Sequence, residues 1–155
     1  MDSTGYGGAE EYLLKIISGI NLQKFNVSLI CPHSEQLSYF VKQLTQKNIE
    51  VLQLKKKRRH FLLNLIRLLK LFRKTHIVHF NLPVPERCIF EMICCILSGV
   101  PIRIATIHLP HLPASNYRQK ARFIKIILTN LLSLLTVIIT VSETSKKQLS
   151  NRYNI

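Results

Sequence analysis

Five short apolar runs are spaced along the 155-residue chain: NVSLICP (26–32), IEVLQL (49–54), HIVHFNLP (76–83), PIRIATIHLP (101–110) and VIITVS (137–142). Each is the length of a strand, and each is bounded by a proline, a polar turn or a charged stretch. Between them lie longer segments whose apolar residues recur at helical spacing. Strands alternating with helices cannot pair as simple hairpins, because each helix carries the chain back across the sheet. The pattern therefore predicts βαβ units and parallel strands covered by helices. IEVLQL alternates, while the strands taken together are apolar on both faces, as buried parallel strands require.

The helical segments are 9–20, 34–48, 60–74, 85–99, 116–135 and 143–152. The first places Leu13, Ile16, Ile17 and Ile20 on one face. Ser34 is a suitable N-cap for the second, and Pro85 suits the first turn of the fourth, which Gly99 stops. The expected fold is α/β: one Rossmann-like, three-layer domain over 1–155 with a mostly parallel sheet. A doubly wound sheet ordinarily begins with a strand that feeds its first helix. Here the helix comes first, so the sequence reads as a fragment with its first strand missing.

Ligands of such folds bind beyond the carboxyl ends of the strands. That rule selects the loops 1–8, 31–35, 55–60, 80–86, 107–115 and 141–145. In the first, Gly7 and Gly8 run straight into a helix. Backbone amides at a helix start bind anions, and glycine admits a close approach. The pair is equally a plain turn, and Glu10 stands where a dinucleotide fingerprint needs its third glycine. The strand that follows ends at Cys31-Pro32, without the acid that a nicotinamide-dependent oxidoreductase would use for ribose. Glu10 and Glu11 also suit the helix dipole. His108 follows an apolar strand and is placed at the ligand edge, where it can bind a phosphate or hydroxyl or move a proton. His108 and His111 make a poor metal pair, since Pro110 interrupts them and no third ligand is evident, so no metal is expected. Nor does a Ser/His/Asp or Cys/His nucleophile set stand out. Paired-carboxylate hydrolysis is disfavoured by the scarcity of acids.

Twenty-two basic and 8 acidic side chains give a formal net charge of +14. Such an excess suits nucleic acid, an anionic membrane surface or a phosphorylated ligand. Nucleic acid fits least, because no binding motif occurs and the basic residues are not interleaved with aromatics. The charges gather at Lys55, Lys56, Lys57, Arg58 and Arg59 and on two helices. Arg67, Lys70 and Lys74 share a face bordered by Leu63, Ile66 and Leu71; Arg118, Arg122 and Lys125 share another. A cationic strip mixed with apolar residues fits an anionic bilayer, and it also fits a solvated helix face. Cys31, Cys88, Cys94 and Cys95 sit inside apolar runs without C-x-x-C spacing, as reduced, buried thiols of a cytoplasmic protein would. The N-terminus is polar, unlike a signal peptide, and the longest uncharged run, 126–142, is short for a membrane span.

In order, GGAEEYLLKIISGI, NVSLICP, HIVHFNLP, GVPIRIATIH and VIITVSETSKKQL resemble the N-terminal domain of family-four-like glycosyltransferases of the GT-B fold, from residue 7 to 155. The resemblance implies an acceptor-binding domain that faces a donor-binding domain across a cleft. It implies a retaining transfer from a nucleotide-sugar to a lipid-linked or polysaccharide acceptor, with no cofactor or metal. It carries the donor-diphosphate loop onto Gly7 and Gly8, and the histidine near the transferred sugar onto His108. Asn81, Glu86, His111 and Ser142 then fall in acceptor-side loops. The donor domain, with its paired glutamates, has no counterpart in this sequence, so the chain alone is expected to be inactive and to need that domain in cis or in trans. The basic surface adds a peripheral place at the inner face of a membrane. The alternative is a non-catalytic basic module that binds a membrane or a partner protein.

Overall fold

A computed structural model describes residues 7–55, 58–109 and 118–155, with the side chains of 58 and 118–122 left aside. It divides into two compact units, Met1–Asn64 and Leu65–Ile155.

In the first unit, helix α1 (Gly8–Gly19) is followed by strand β1 (Ser28–Pro32), a short 3-10 turn at Glu35–Leu37, helix α2 (Ser38–Gln46) and strand β2 (Glu50–Leu54). β1 and β2 pair in parallel, with Leu29 opposite Val51 and Cys31 opposite Gln53. The core gathers Leu13 and Ile17 of α1, Leu29 and Cys31 of β1, Phe40 and Leu44 of α2, with Leu37 and Ile49. Leu13 and Ile17 are one helical turn apart on the face the sequence predicts. Ser34 precedes the 3-10 turn, but its side chain makes no capping bond. α2 instead starts at Ser38, four residues later than the periodicity suggested. It ends at Gln46, and in the turn that follows Asn48 adopts φ 58°. Asparagine tolerates that left-handed geometry, and it lets the Ile49 amide return to the Leu44 carbonyl at 3.0 Å.

α3 (Phe61–Phe72) spans the boundary between the units, after a 3-10 turn at Arg58–His60. The second unit continues with β3 (Ile77–Leu82), α4 (Ile89–Leu97), β4 (Ile102–Ile107), α5 (Arg118–Ser133), β5 (Val137–Thr140) and α6 (Glu143–Tyr153). The three strands form one parallel sheet in the order β3-β4-β5. The parallel pairing and the strand–helix alternation are as expected, but the described strands form two sheets rather than one. The register sets Asn81 opposite Thr106 and Leu82 opposite Ile107. Phe80, Leu82, Ala105 and Ile107 are buried, as are Met92 and Cys95 of α4 and Leu128 and Leu132 of α5.

α4 corrects the sequence reading. Pro85 does not open the helix. It is the second residue of a turn closed by the Arg87 amide on the Val84 carbonyl at 3.2 Å, the position that proline's fixed φ favours. Cys88 then takes φ 57° and the helix begins at Ile89. Gly99 does end it, at φ 71°, where a Cβ would be strained. All four cysteines are buried, and none forms a disulfide. Burial pushes the thiols of Cys31 and Cys95 up to about 11, so they pack as neutral groups.

Candidate functional site

The carboxyl ends of β3, β4 and β5 lie side by side in the second unit, and four of the residues singled out from sequence sit there. Asn81 is the penultimate residue of β3. His108 follows β4 directly. Its amide donates to the Leu82 carbonyl at 3.0 Å, and the Leu109 amide donates to Pro83 at 2.9 Å. These bonds carry the strand pairing past Ile107 and fix the backbone that bears the imidazole.

Residues two apart on a strand share a face. His79 and Asn81 therefore share one on β3, with Thr106 and His108 beside them on β4. Two cross-strand bonds result. His79 Nε2 lies 2.8 Å from Thr106 Oγ1, and His108 Nε2 lies 2.8 Å from Asn81 Oδ1. Asn81 is 1 % exposed and Thr106 0 %, whereas His108 is partly open. A polar seam thus runs through a buried sheet and ends at a histidine that solvent reaches. Burial holds the His79 imidazole below its ordinary pKa, favouring the neutral ring. Sequence alone assigned neither His79 nor Thr106 to the site. Their pairing depends on register, which no single-strand pattern reveals.

Glu86 and Ser142 occupy the same edge, and the structure gives each a structural partner. Glu86 Oε1 accepts from the Tyr153 hydroxyl at 3.1 Å and pairs with the Arg152 guanidinium at 3.3 Å. Its Oε2 is buried without a hydrogen bond. Tyr153 is 1 % exposed. Burial, and then the Glu86 carboxylate, push its hydroxyl up to about 12. The end of α6 is therefore clamped to the loop after β3. Arg152 and Tyr153 were missed from sequence; the only signal was Leu149 and Tyr153 one turn apart in an otherwise polar helix. Ser142 caps α6, its Oγ accepting from the Ser145 amide at 3.1 Å. Glu143 lies exposed in the first turn of α6, 4.0 Å from Lys146.

Gly7 and Gly8 belong to the first unit. Gly7 is extended, at φ −165°, a conformation open to any residue. A Cβ on Gly8 would meet nothing within 4 Å, and one on Gly7 would lie 3.6 Å from Glu10 Oε2. The backbone therefore demands glycine at neither position. Glu10 is 2 % exposed in the first turn of α1, where its carboxylate complements the helix dipole.

Of the basic residues, Lys55, Arg59, Arg67 and Lys70 are exposed. Lys56, Lys57 and His111 lie outside the described residues, as do the side chains of Arg58, Arg118 and Arg122. Among the described residues no group of three or more His, Cys, Asp or Glu could hold a metal ion, and no helix is long and apolar enough to cross a membrane.

Alternating helices with parallel strands, and polar side chains converging at the strand carboxyl ends, define a Rossmann-like module. The family model for Glycosyltransferase Family 4 matches residues 6–155. The chain belongs to that family. Neither a comparison with curated proteins nor one with solved structures returned a match.

Proposed function

We propose that this chain is the acceptor-binding half of a retaining glycosyltransferase, which moves a sugar from a nucleotide-sugar to a lipid-linked or polysaccharide acceptor. His108 is the residue that meets the acceptor and the transferred sugar. The observation that carries this reading is the solvent-open imidazole at the carboxyl edge of a buried parallel sheet, held by Asn81 at 2.8 Å in a chain of this family. Gly7 and Gly8 are the points where the donor diphosphate approaches backbone amides, and the lack of any described atom within 4 Å of a Cβ built on Gly8 is compatible with that approach. The donor-binding domain acts in cis or in trans. Neither a metal nor a cofactor is required.

Acceptor binding tests this reading without the donor domain. A short-chain polyprenyl diphosphate saccharide, titrated into the chain, is expected to bind saturably. His108→Ala should weaken it about tenfold, the scale of losing one hydrogen bond to a charged or strongly polar group. Unchanged affinity in the variant would place the acceptor elsewhere. No saccharide binding at all would favour the second reading, a non-catalytic basic module. The apolar and basic exposed side of α3 is what recommends that alternative.

A further inference from the structure

We propose that Asn81 is a positioning residue that fixes both the orientation and the tautomer of His108. The inference deepens the acceptor-side reading of His108 and rests on it. Asn81 Oδ1 faces His108 Nε2 at 2.8 Å. An amide oxygen can only accept, so Nε2 must carry the hydrogen. In the neutral ring Nδ1 then holds the lone pair. The contrast with the neighbouring pair is chemical. Thr106 Oγ1 can donate or accept, so its contact at 2.8 Å leaves the tautomer of His79 open.

Asn81 is well placed to impose this choice. It is 1 % exposed on β3, inside a parallel ladder that pairs it with Thr106. The His108 backbone is tied to the same strand by its amide bond to Leu82 at 3.0 Å. Side chain and main chain are thus referred to one rigid element, and the ring loses most of its rotational freedom before any ligand arrives. Preorganisation of this kind lowers the entropic cost of binding.

The tautomer has a consequence for specificity. A group that meets Nδ1 of the neutral ring must bring a hydrogen. A sugar hydroxyl does so, and an ionised phosphate oxygen does not. Where an acceptor meets Nδ1 of the neutral ring, this tautomer favours a hydroxyl over an ionised phosphate oxygen.

The test is imidazole 15N spectroscopy of the 155-residue chain, well above the ordinary histidine pKa of about 6.5. The chain has 6 histidines, and the His108 signals are assigned by their disappearance in His108→Gln. The expected result is a protonated Nε2 with a slowly exchanging hydrogen and an unprotonated Nδ1. Asn81→Ala should lose the slow exchange, whereas Asn81→Asp, which keeps an acceptor oxygen in place, should retain it. An unprotonated Nε2 in the wild-type chain overturns the proposal, as does slow exchange that survives in Asn81→Ala. If Asn81→Ala does not fold, the wild-type tautomer and Asn81→Asp decide, since loss of the protected hydrogen in Asn81→Asp is equally fatal. None of these signals depends on sugar transfer. Failure here leaves the acceptor reading standing, and unchanged acceptor affinity in His108→Ala overturns that reading without touching the tautomer.

Discussion

His79 shows how one side chain ties burial to stability. Burial disfavours the charged form of its imidazole, so its pKa in the folded chain lies below the ordinary histidine value of about 6.5. A histidine depressed in this way stabilises the fold fully above its unfolded pKa. That contribution is lost as the pH falls through 6.5 toward the folded value, because the unfolded chain takes up the proton first. Chemical denaturation at a series of pH values should therefore show stability falling below about pH 6.5. His79→Gln should flatten that fall, and an unchanged acid limb in the variant would show that other groups carry it. His108 at the strand edge was legible from sequence, because an apolar run that stops at a histidine marks the exit from the sheet. Its partner was less so. Asn81 was expected in a loop at this edge but lies in β3 itself, and the bond between them depends on a register that becomes fixed only when β3 and β4 pair.

At the scale of elements, the hydrophobic periods located every described α-helix and strand, since each period reports a buried face directly. The ends were set by turn chemistry that the period does not contain. α4 starts late because Pro85 closes a turn and Cys88 adopts φ 57°, a conformation uncommon for any side chain bearing a Cβ. α6 starts where predicted because Ser142 supplies an N-cap oxygen. Its side chain was expected in an acceptor loop, yet it bonds the Ser145 amide at 3.1 Å and the Ser145 hydroxyl at 2.9 Å. Ser142→Ala should cost about 1 kcal/mol, the usual loss of a serine cap, read as a lower denaturation midpoint. Ser142→Asp should restore most of it. A full-strength alanine variant would mean that α6 is held by the Glu86–Tyr153 clamp at its other end and needs no cap.

For the molecule as a whole, the charge of +14 is the feature that the fold leaves largely unanswered. A few cations have structural work: Arg103 donates to the Leu134 and Val100 carbonyls at 2.8 and 3.0 Å, and Arg152 holds Glu86. α3 is different. It buries Leu68 and Phe72 one turn apart, and exposes Phe61, Leu62, Leu63 and Ile66 beside Arg67 and Lys70. Lys55 and Arg59 lie exposed just ahead of it. Leucine and phenylalanine left in water among cations are what an interfacial helix presents to an anionic bilayer. Each Lys or Arg near such a surface contributes about 1 kcal/mol, and each leucine fully removed from water about 1.5–3 kcal/mol. Sedimentation with phosphatidylserine-rich vesicles should therefore capture the chain at low salt, with weaker capture as salt shortens the reach of the charges. Neutral phosphatidylcholine vesicles should capture far less. Leu62→Ser with Ile66→Ser removes apolar surface without altering charge, and should reduce binding at least about tenfold. Equal binding to neutral and anionic vesicles at low salt would remove the electrostatic argument, and undiminished binding of the double variant would remove α3 as the docking face.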